Sequence, residues 1–117
     1  MLKKLKADSD NNLSAIDEGI EITPIPVTLG DRVTIKYDGL LADSGADKIY
    51  AHIGYGDNDN WTGIQDIPMK KTKNGWVCDT FADEERLNFC FRDSANNWDN
   101  NNGRNWSLTV HNGRQLN

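Results

Sequence analysis

Several features that mark common functional classes are scarce or absent in this sequence. No apolar run is long enough to span a bilayer, and no segment of useful length has helical periodicity. Thirteen basic residues against 18 acidic ones give a net charge of -5. This balance argues against partners that are nucleic acids or anionic membranes, because both require clustered Lys and Arg. The one basic cluster, Lys3, Lys4 and Lys6, lies near the chain start, where we expect a solvated terminus.

Cysteine and histidine are also rare, with two of each. No CxxC motif occurs, so a zinc site is not expected. The Asp- and Asn-rich stretches lack EF-hand spacing, although a looser calcium site stays open. Cys78 and Cys90 flank a predicted turn and could pair if their strands are neighbours, but we expect two reduced, half-buried thiols. The sequence therefore predicts no metal and no cofactor.

Motifs of hydrolases are missing as well. There is no GxSxG element, and no pair of carboxylates stands out among the 18 acidic residues as a glycosidase would need. The chain is therefore predicted not to be an enzyme, with no catalytic residues. Three N-x-[ST] sequons, at Asn12, Asn60 and Asn105, are interpreted as chance matches.

The N-terminal stretch MLKKLKADSDNNLS carries positive charge but has no apolar segment, so it does not have the pattern of a signal peptide. With Met1 at the start, this pattern favours a cytoplasmic protein. Excision from a larger secreted enzyme would instead place the chain outside the cell.

Residues 20–117 contain short alternating segments separated by turn residues, a pattern typical of an all-β sandwich or barrel. Residues 1–19 show no clear period, and we expect them to form a loosely structured lead-in. Pro24 and Pro26 predict that a strand over Ile20–Thr28 lies at a sheet edge.

Alternation also predicts the core. One face of each predicted strand is apolar, and the residues expected inside are Val33, Ile35, Ile49, Ile53, Leu87, Phe89, Phe91 and Leu108. Trp76 and Trp106 begin regular strands and are assigned to the core too.

The other two tryptophans, Trp61 and Trp98, lie out of phase with any strand and among Asn, Asp and Gly, which favour turns. An exposed indole can stack on the C–H face of a sugar while nearby amides bond its hydroxyls. A single loop Trp could equally fold back over the core. Two such loops, both flanked by amides, favour binding. His52 points away from the core on strand phase, with Tyr50 on the same face, and could add a third planar wall to the site.

Three segments together resemble a known family. The runs IYAHIGYGDNDNW, DIPMKKTKNGWVCD and LNFCFRDSANNWDNNNGRNWSL are similar to the starch-binding carbohydrate-binding modules of family 25 and the related family 53. The resemblance covers roughly Ile20–Val110. It implies an immunoglobulin-like antiparallel β-sandwich that binds α-1,4-glucans such as starch, glycogen or maltooligosaccharides. The loop GDNDNW carries extra Asp residues relative to the family pattern, which affects the expected orientation of its ring.

The same resemblance implies the site residues. His52, Trp61 and Trp98 match the family's sugar platform, and Asp99, Asn100, Asn101 and Asn102 match its polar contacts. Two indoles held at an angle would follow a curved α-1,4-glucan, whereas a flat β-1,4 chain would meet only one. We expect a monomer associated with a glucan-active enzyme. The alternative is a protein-interaction domain that grips a partner through its exposed Trp loops.

Overall fold

The computed structural model describes residues 5–7, 13–17 and 19–112. Strands alternate with short turns along almost the whole of this part. The elements are β1 (Leu5–Ala7), β2 (Leu13–Asp17), β3 (Ile20–Ile25), β4 (Val27–Thr28), β5 (Arg32–Tyr37), α1 (Leu40–Asp43), β6 (Ile49–Tyr55), β7 (Thr62–Pro68), β8 (Lys70–Thr72), β9 (Gly75–Phe81), β10 (Arg86–Asp93), β11 (Trp98–Asp99) and β12 (Trp106–His111).

The strands form two sheets. The first sheet has the order β1-β2-β3-β5-β9-β8, and the second has the order β4-β12-β10-β6-β7, with β11 beside β10. Every pairing is antiparallel except that of β4 with β12. The predicted all-β sandwich is confirmed.

The apolar faces of both sheets meet in one core, as the alternation predicts. Of the eight predicted core residues, all but Leu108 are at most 1% exposed, and Leu108 packs partly buried against the others. Trp76 is buried. Trp106 is only half-buried, yet its ring stacks on Phe89 with centroids 6.1 Å apart. Tyr37 of the first sheet stacks on Phe91 of the second, with ring centroids 4.0 Å apart.

The edge prediction for Ile20–Thr28 is wrong for its first half. β3 lies between β2 and β5, and the chain then crosses to the second sheet, where β4 forms an edge. Pro24 is compatible with an inner strand because the β3–β5 ladder stops at Thr23 and the register with β2 shifts beside it. Pro26 occupies the break between the two strands.

The lead-in prediction over residues 1–19 needs correction where the backbone is described. β2 pairs with β3, and β1 pairs with β2, so both extend the first sheet. The free edge of β3 offers unpaired backbone groups, which a neighbouring strand can satisfy without a strong apolar period of its own. The predicted loop between β5 and β6 contains the four-residue helix α1. No helix in the described part of the chain is long and apolar enough to cross a membrane.

Candidate functional site

The outer face of the second sheet carries the predicted site. β6 places Ile49, Ala51 and Ile53 inside, so its alternate residues point outward. His52 is one of these. It pairs in register with Asp66 on β7 and with Cys90 on β10, and it therefore lies in the middle of three adjacent strands.

The loop between β6 and β7 folds back so that Trp61 covers the backbone of Gly54. A Cβ atom on Gly54 would lie 2.6 Å from Cε3 of Trp61, so only glycine permits this contact. The indole Nε1 donates hydrogen bonds to the carbonyl and to Oδ1 of Asn58, at 2.8 and 3.1 Å. Trp61 is therefore half-buried and held in one orientation.

Trp98 reaches the same face from the other loop. It belongs to β11, a two-residue strand in which Trp98 pairs with Arg92 of β10. The preceding turn is built on Asp93, whose Oδ1 accepts hydrogen bonds from the backbone of Ala95 and Asn97. Hydrogen bonds from Asn97 hold the pKa of Asp93 below its ordinary value. The anchored turn leaves Trp98 44% exposed, the property expected of a ligand-stacking ring.

His52 lies between the two indoles. Its ring centroid is 5.6 Å from that of Trp61 at an interplanar angle of 33°, and 5.1 Å from that of Trp98 at 87°. The two indole planes therefore cannot be parallel. The structure brings the three predicted platform residues together as an inclined aromatic surface.

An open groove of about 510 Å³ lies over this surface. Besides the three rings it is lined by Cys90 and by Asn58, Asp59, Asn60, Ile64, Asn100 and Asn105. Ile64 adds an apolar side chain that is 54% exposed. The groove thus combines flat apolar rings with amides that can both donate and accept hydrogen bonds.

The two loops are joined directly. Asn58 Nδ2 donates to the carbonyl of Arg104 at 2.9 Å, and Asn105 Nδ2 approaches Asn58 Oδ1 at 3.5 Å. Asn101 Nδ2 donates to the carbonyl of Asn105 at 3.0 Å. Left-handed backbone, which Asn tolerates better than most residues, occurs at Asn96, Asn101, Asn102 and Asn105. Much of the asparagine run therefore shapes the loop.

Asp99, predicted as a polar sugar contact, faces the interior instead. Its Oδ2 accepts a 2.6 Å hydrogen bond from the fully buried Tyr37 hydroxyl, which in turn accepts one from the backbone N–H of Leu41. Burial, followed by the bond to Asp99, raises the pKa of Tyr37. The error arises because Trp98 and Asp99 pair with β10 as a strand, which the sequence does not show, and the residue after an outward Trp98 then points inward. Asp99 thus ties β11 to the first sheet and to α1.

Of the remaining predicted site residues, one lines the groove and the others support the structure around it. Asn100 lines the groove and caps its own turn, where Oδ1 accepts from the N–H of Gly103 at 2.9 Å. Asn101 and Asn102 do not line the groove, because they form the left-handed turn of the loop. Tyr50 shares the face of His52, but the Arg92 guanidinium lies over its ring, with the guanidinium carbon 4.4 Å from the ring centroid.

Sequence reasoning missed Asn58, Ile64, Asn105 and Asp66. Asn58 and Asn105 belong to the two amide-rich loops, so composition alone could have suggested them. Ile64 and Asp66 join the site because β7 pairs with β6, and strand pairing is not visible in a single sequence. Their spacing of two residues places both on one face, but nothing in the sequence says which face.

Both cysteines are free and buried, whereas we predicted half-buried thiols. Cys78 lies in β9 of the first sheet and Cys90 in β10 of the second. Burial raises the pKa of each thiol to about 12, so neither is a reactive thiolate. Within the described residues, no three His, Cys, Asp or Glu side chains are grouped as a metal site.

Comparison with known proteins finds one matching family and one similar enzyme. Residues 33–89 match the family described as "Starch/carbohydrate-binding module (family 53)". An α-amylase of Clostridium acetobutylicum is 38% identical over 84 residues, which are 69% of this chain and 10% of the amylase. The chain thus spans about a tenth of the length of that relative. No solved structure matches it. In its aromatic groove and over residues 33–89, the chain is similar to the starch/carbohydrate-binding modules of family 53.

Proposed function

We propose that the groove over the second sheet binds a curved α-1,4-glucan, with Trp61 and Trp98 stacking on sugar rings and His52 joining them. The observation that carries the proposal is the inclination of the two indoles on either side of His52. Successive glucose units of an α-1,4 chain turn relative to one another, so two inclined rings meet two sugars of the same chain. A flat β-1,4 chain would contact one ring at a time.

The amides around the rings supply the polar half of the recognition. Asn60, Asn100 and Asn105 line the groove, and an amide both donates and accepts, as sugar hydroxyls do. Affinity is expected to be modest, because each hydroxyl exchanges bonds to water for bonds to protein. Stacking area on the two indoles then provides most of the net gain.

We also propose that the chain binds glucan and does not hydrolyse it. Among the described residues that line the groove, Asp59 is the one carboxylate, whereas glycoside hydrolysis ordinarily requires two flanking the bond. The similarity to part of an α-amylase supports a role in holding glucan for an enzyme of that kind. We propose that the module itself acts as a monomer.

Affinity electrophoresis tests the proposal. The purified chain should migrate more slowly in gels containing amylopectin or glycogen than in gels containing cellulose or xylan derivatives, and should release no reducing sugar. Equal retardation by cellulose would contradict the geometric argument. Absence of retardation by every glycan would favour a protein partner for the exposed tryptophans. Release of maltose or glucose would overturn the non-catalytic assignment.

A further inference from the structure

Beside His52, on the same sheet, lies a charged network that the stacking role does not explain. Asp66 Oδ1 lies 2.7 Å from Nδ1 of His52, and Asp66 Oδ2 accepts a 3.1 Å hydrogen bond from the Arg92 guanidinium. Arg92 comes from β10 and Asp66 from β7, so their contact passes over β6, the strand that carries His52. One exposed carboxylate thus connects side chains from three adjacent strands.

Arg92 and Asp66 each make more than one contact in this network. The Arg92 guanidinium lies 4.4 Å from the Tyr50 ring centroid, and its NH1 donates to the carbonyl of Asp93 at 3.3 Å. Partial burial opposes ionisation of Asp66, but the bonds from His52 and Arg92 hold the pKa of its carboxyl below the ordinary value. Asp66 is therefore ionised at neutral pH and can only accept hydrogen bonds.

An acceptor at Nδ1 determines where the imidazole proton sits. Because the carboxylate cannot donate, the bonded Nδ1 must carry hydrogen, and Nε2 of a neutral ring is then an unprotonated acceptor. No described residue hydrogen-bonds Nε2, and the ring lines the groove between Trp61 and Trp98. The nitrogen is thus available to a ligand hydroxyl.

We propose that Asp66 is a positioning residue that holds His52 as the Nδ1–H tautomer and so presents Nε2 as a hydrogen-bond acceptor for a glucan hydroxyl. This inference rests on the proposed glucan binding. Two stacked rings alone would tolerate sliding of the sugar chain along the groove. A directed acceptor between them fixes one hydroxyl, and with it the register of the glucan.

The tautomer can be read without any ligand. Long-range 15N–1H correlation spectra recorded above the pH range in which imidazoles titrate should show a protonated Nδ1 and a bare Nε2 for the neutral His52 ring. The second histidine, His111, is exposed on β12 and serves as the internal reference. A His52 ring with a bare Nδ1 in the wild-type chain would overturn the proposal.

Asp66→Asn should change the His52 signals, leave those of His111 unchanged, and weaken maltoheptaose binding roughly five- to tenfold. Asp66→Glu keeps the carboxylate and should restore the His52 tautomer and at least part of the affinity. Asp79→Asn is the matched control, because Asp79 also binds an arginine, Arg32, but on the outer face of the first sheet. Asp79→Asn should change neither the His52 signals nor the affinity for maltoheptaose.

Weaker binding by Asp66→Asn without a change at His52 would refute the positioning role, as would unchanged binding. Trp98→Ala in the same titration separates the two proposals. If Trp98→Ala binds glucan as the wild type does, the proposed site fails, whereas the imidazole spectra still judge the role of Asp66.

Discussion

The outer faces of the two sheets are built from the same alternating strands, yet their surfaces differ. On the first sheet, Asp79 accepts hydrogen bonds from Arg32 and Thr34, all of them on adjacent strands. On the second sheet, two loops return over the strands and place Trp61 and Trp98 above His52. Strand alternation thus supplies an outward face in both cases, and the returning loops convert one of them into a groove.

The largest expected effect is loss of the two loop indoles. Trp98→Ala should weaken maltoheptaose binding at least about tenfold with little change in melting temperature, because its exposed ring leaves no cavity. Trp61→Ala should weaken binding similarly but also lower stability by roughly 1–2 kcal/mol, since its ring is half-buried and bonded to Asn58. The double variant should not bind detectably. Titration calorimetry and thermal melts on the same samples measure both properties.

If the double variant still bound maltoheptaose, the outer face of the second sheet would not be the glucan site, and the proposed difference between the two faces would fail. Unfolding of Trp98→Ala would show that this indole is structural.

A smaller effect is expected from Gly54→Ala. The added methyl group would lie 2.6 Å from Cε3 of Trp61, so the indole must shift away from the sheet. We expect roughly a threefold to tenfold loss of affinity for maltoheptaose, because the angle between the two indoles changes while both remain present. The same titration measures it.

Gly45→Ala is its control. The backbone there is left-handed, with φ of 81°, but no atom lies within 4 Å of the added Cβ. This variant should lose about 1 kcal/mol of stability with unchanged affinity. Equal affinity loss in both variants would mean that destabilisation, and not the position of Trp61, lowers binding.

The smallest effect should come from the first sheet's outer face. Thr34→Ala removes a 2.7 Å hydrogen bond to Asp79 and should leave glucan affinity unchanged. Its free energy of unfolding should fall by less than about 1 kcal/mol, because the group is exposed and screened by solvent. Hydrogen bonds from Thr34, then Arg32, hold the pKa of Asp79 below its ordinary value.

That depressed pKa sets the pH dependence. The contribution of Asp79 is present above the carboxyl's unfolded pKa of about 4 and is lost as pH falls through the lower folded value. The stability difference between Thr34→Ala and the wild type should therefore shrink in acid, as urea titrations at several pH values would show. A difference that grows in acid would contradict this assignment.

Local sequence patterns were sufficient for the longer strands after residue 20 and for most of the core. Arg32–Tyr37 and Ile49–Tyr55 alternate in the burial pattern that their apolar residues predict. This works because neighbouring side chains on a strand must point to opposite faces whatever the strand pairs with. The same rule put His52 on the outer face. Loop composition identified Trp61 and Trp98, because an indole among turn residues has no strand phase.

Where the prediction failed, the missing information was strand pairing. Asp99 was taken as a sugar contact, but its carboxylate bonds Tyr37, which is 62 residues earlier in the chain. β3 became an inner strand because β2 pairs with it.

The sequence by itself determined which residues alternate, which tryptophans lie in loops and which histidine faces outward, because these depend on spacing along the chain. Only the tertiary structure decided that Asp66 contacts both His52 and Arg92, and that Asn58 joins the two loops. Such contacts depend on the order and register of strands within a sheet. A register shift of one residue would turn every side chain to the other face, and one sequence does not state which register its strands adopt.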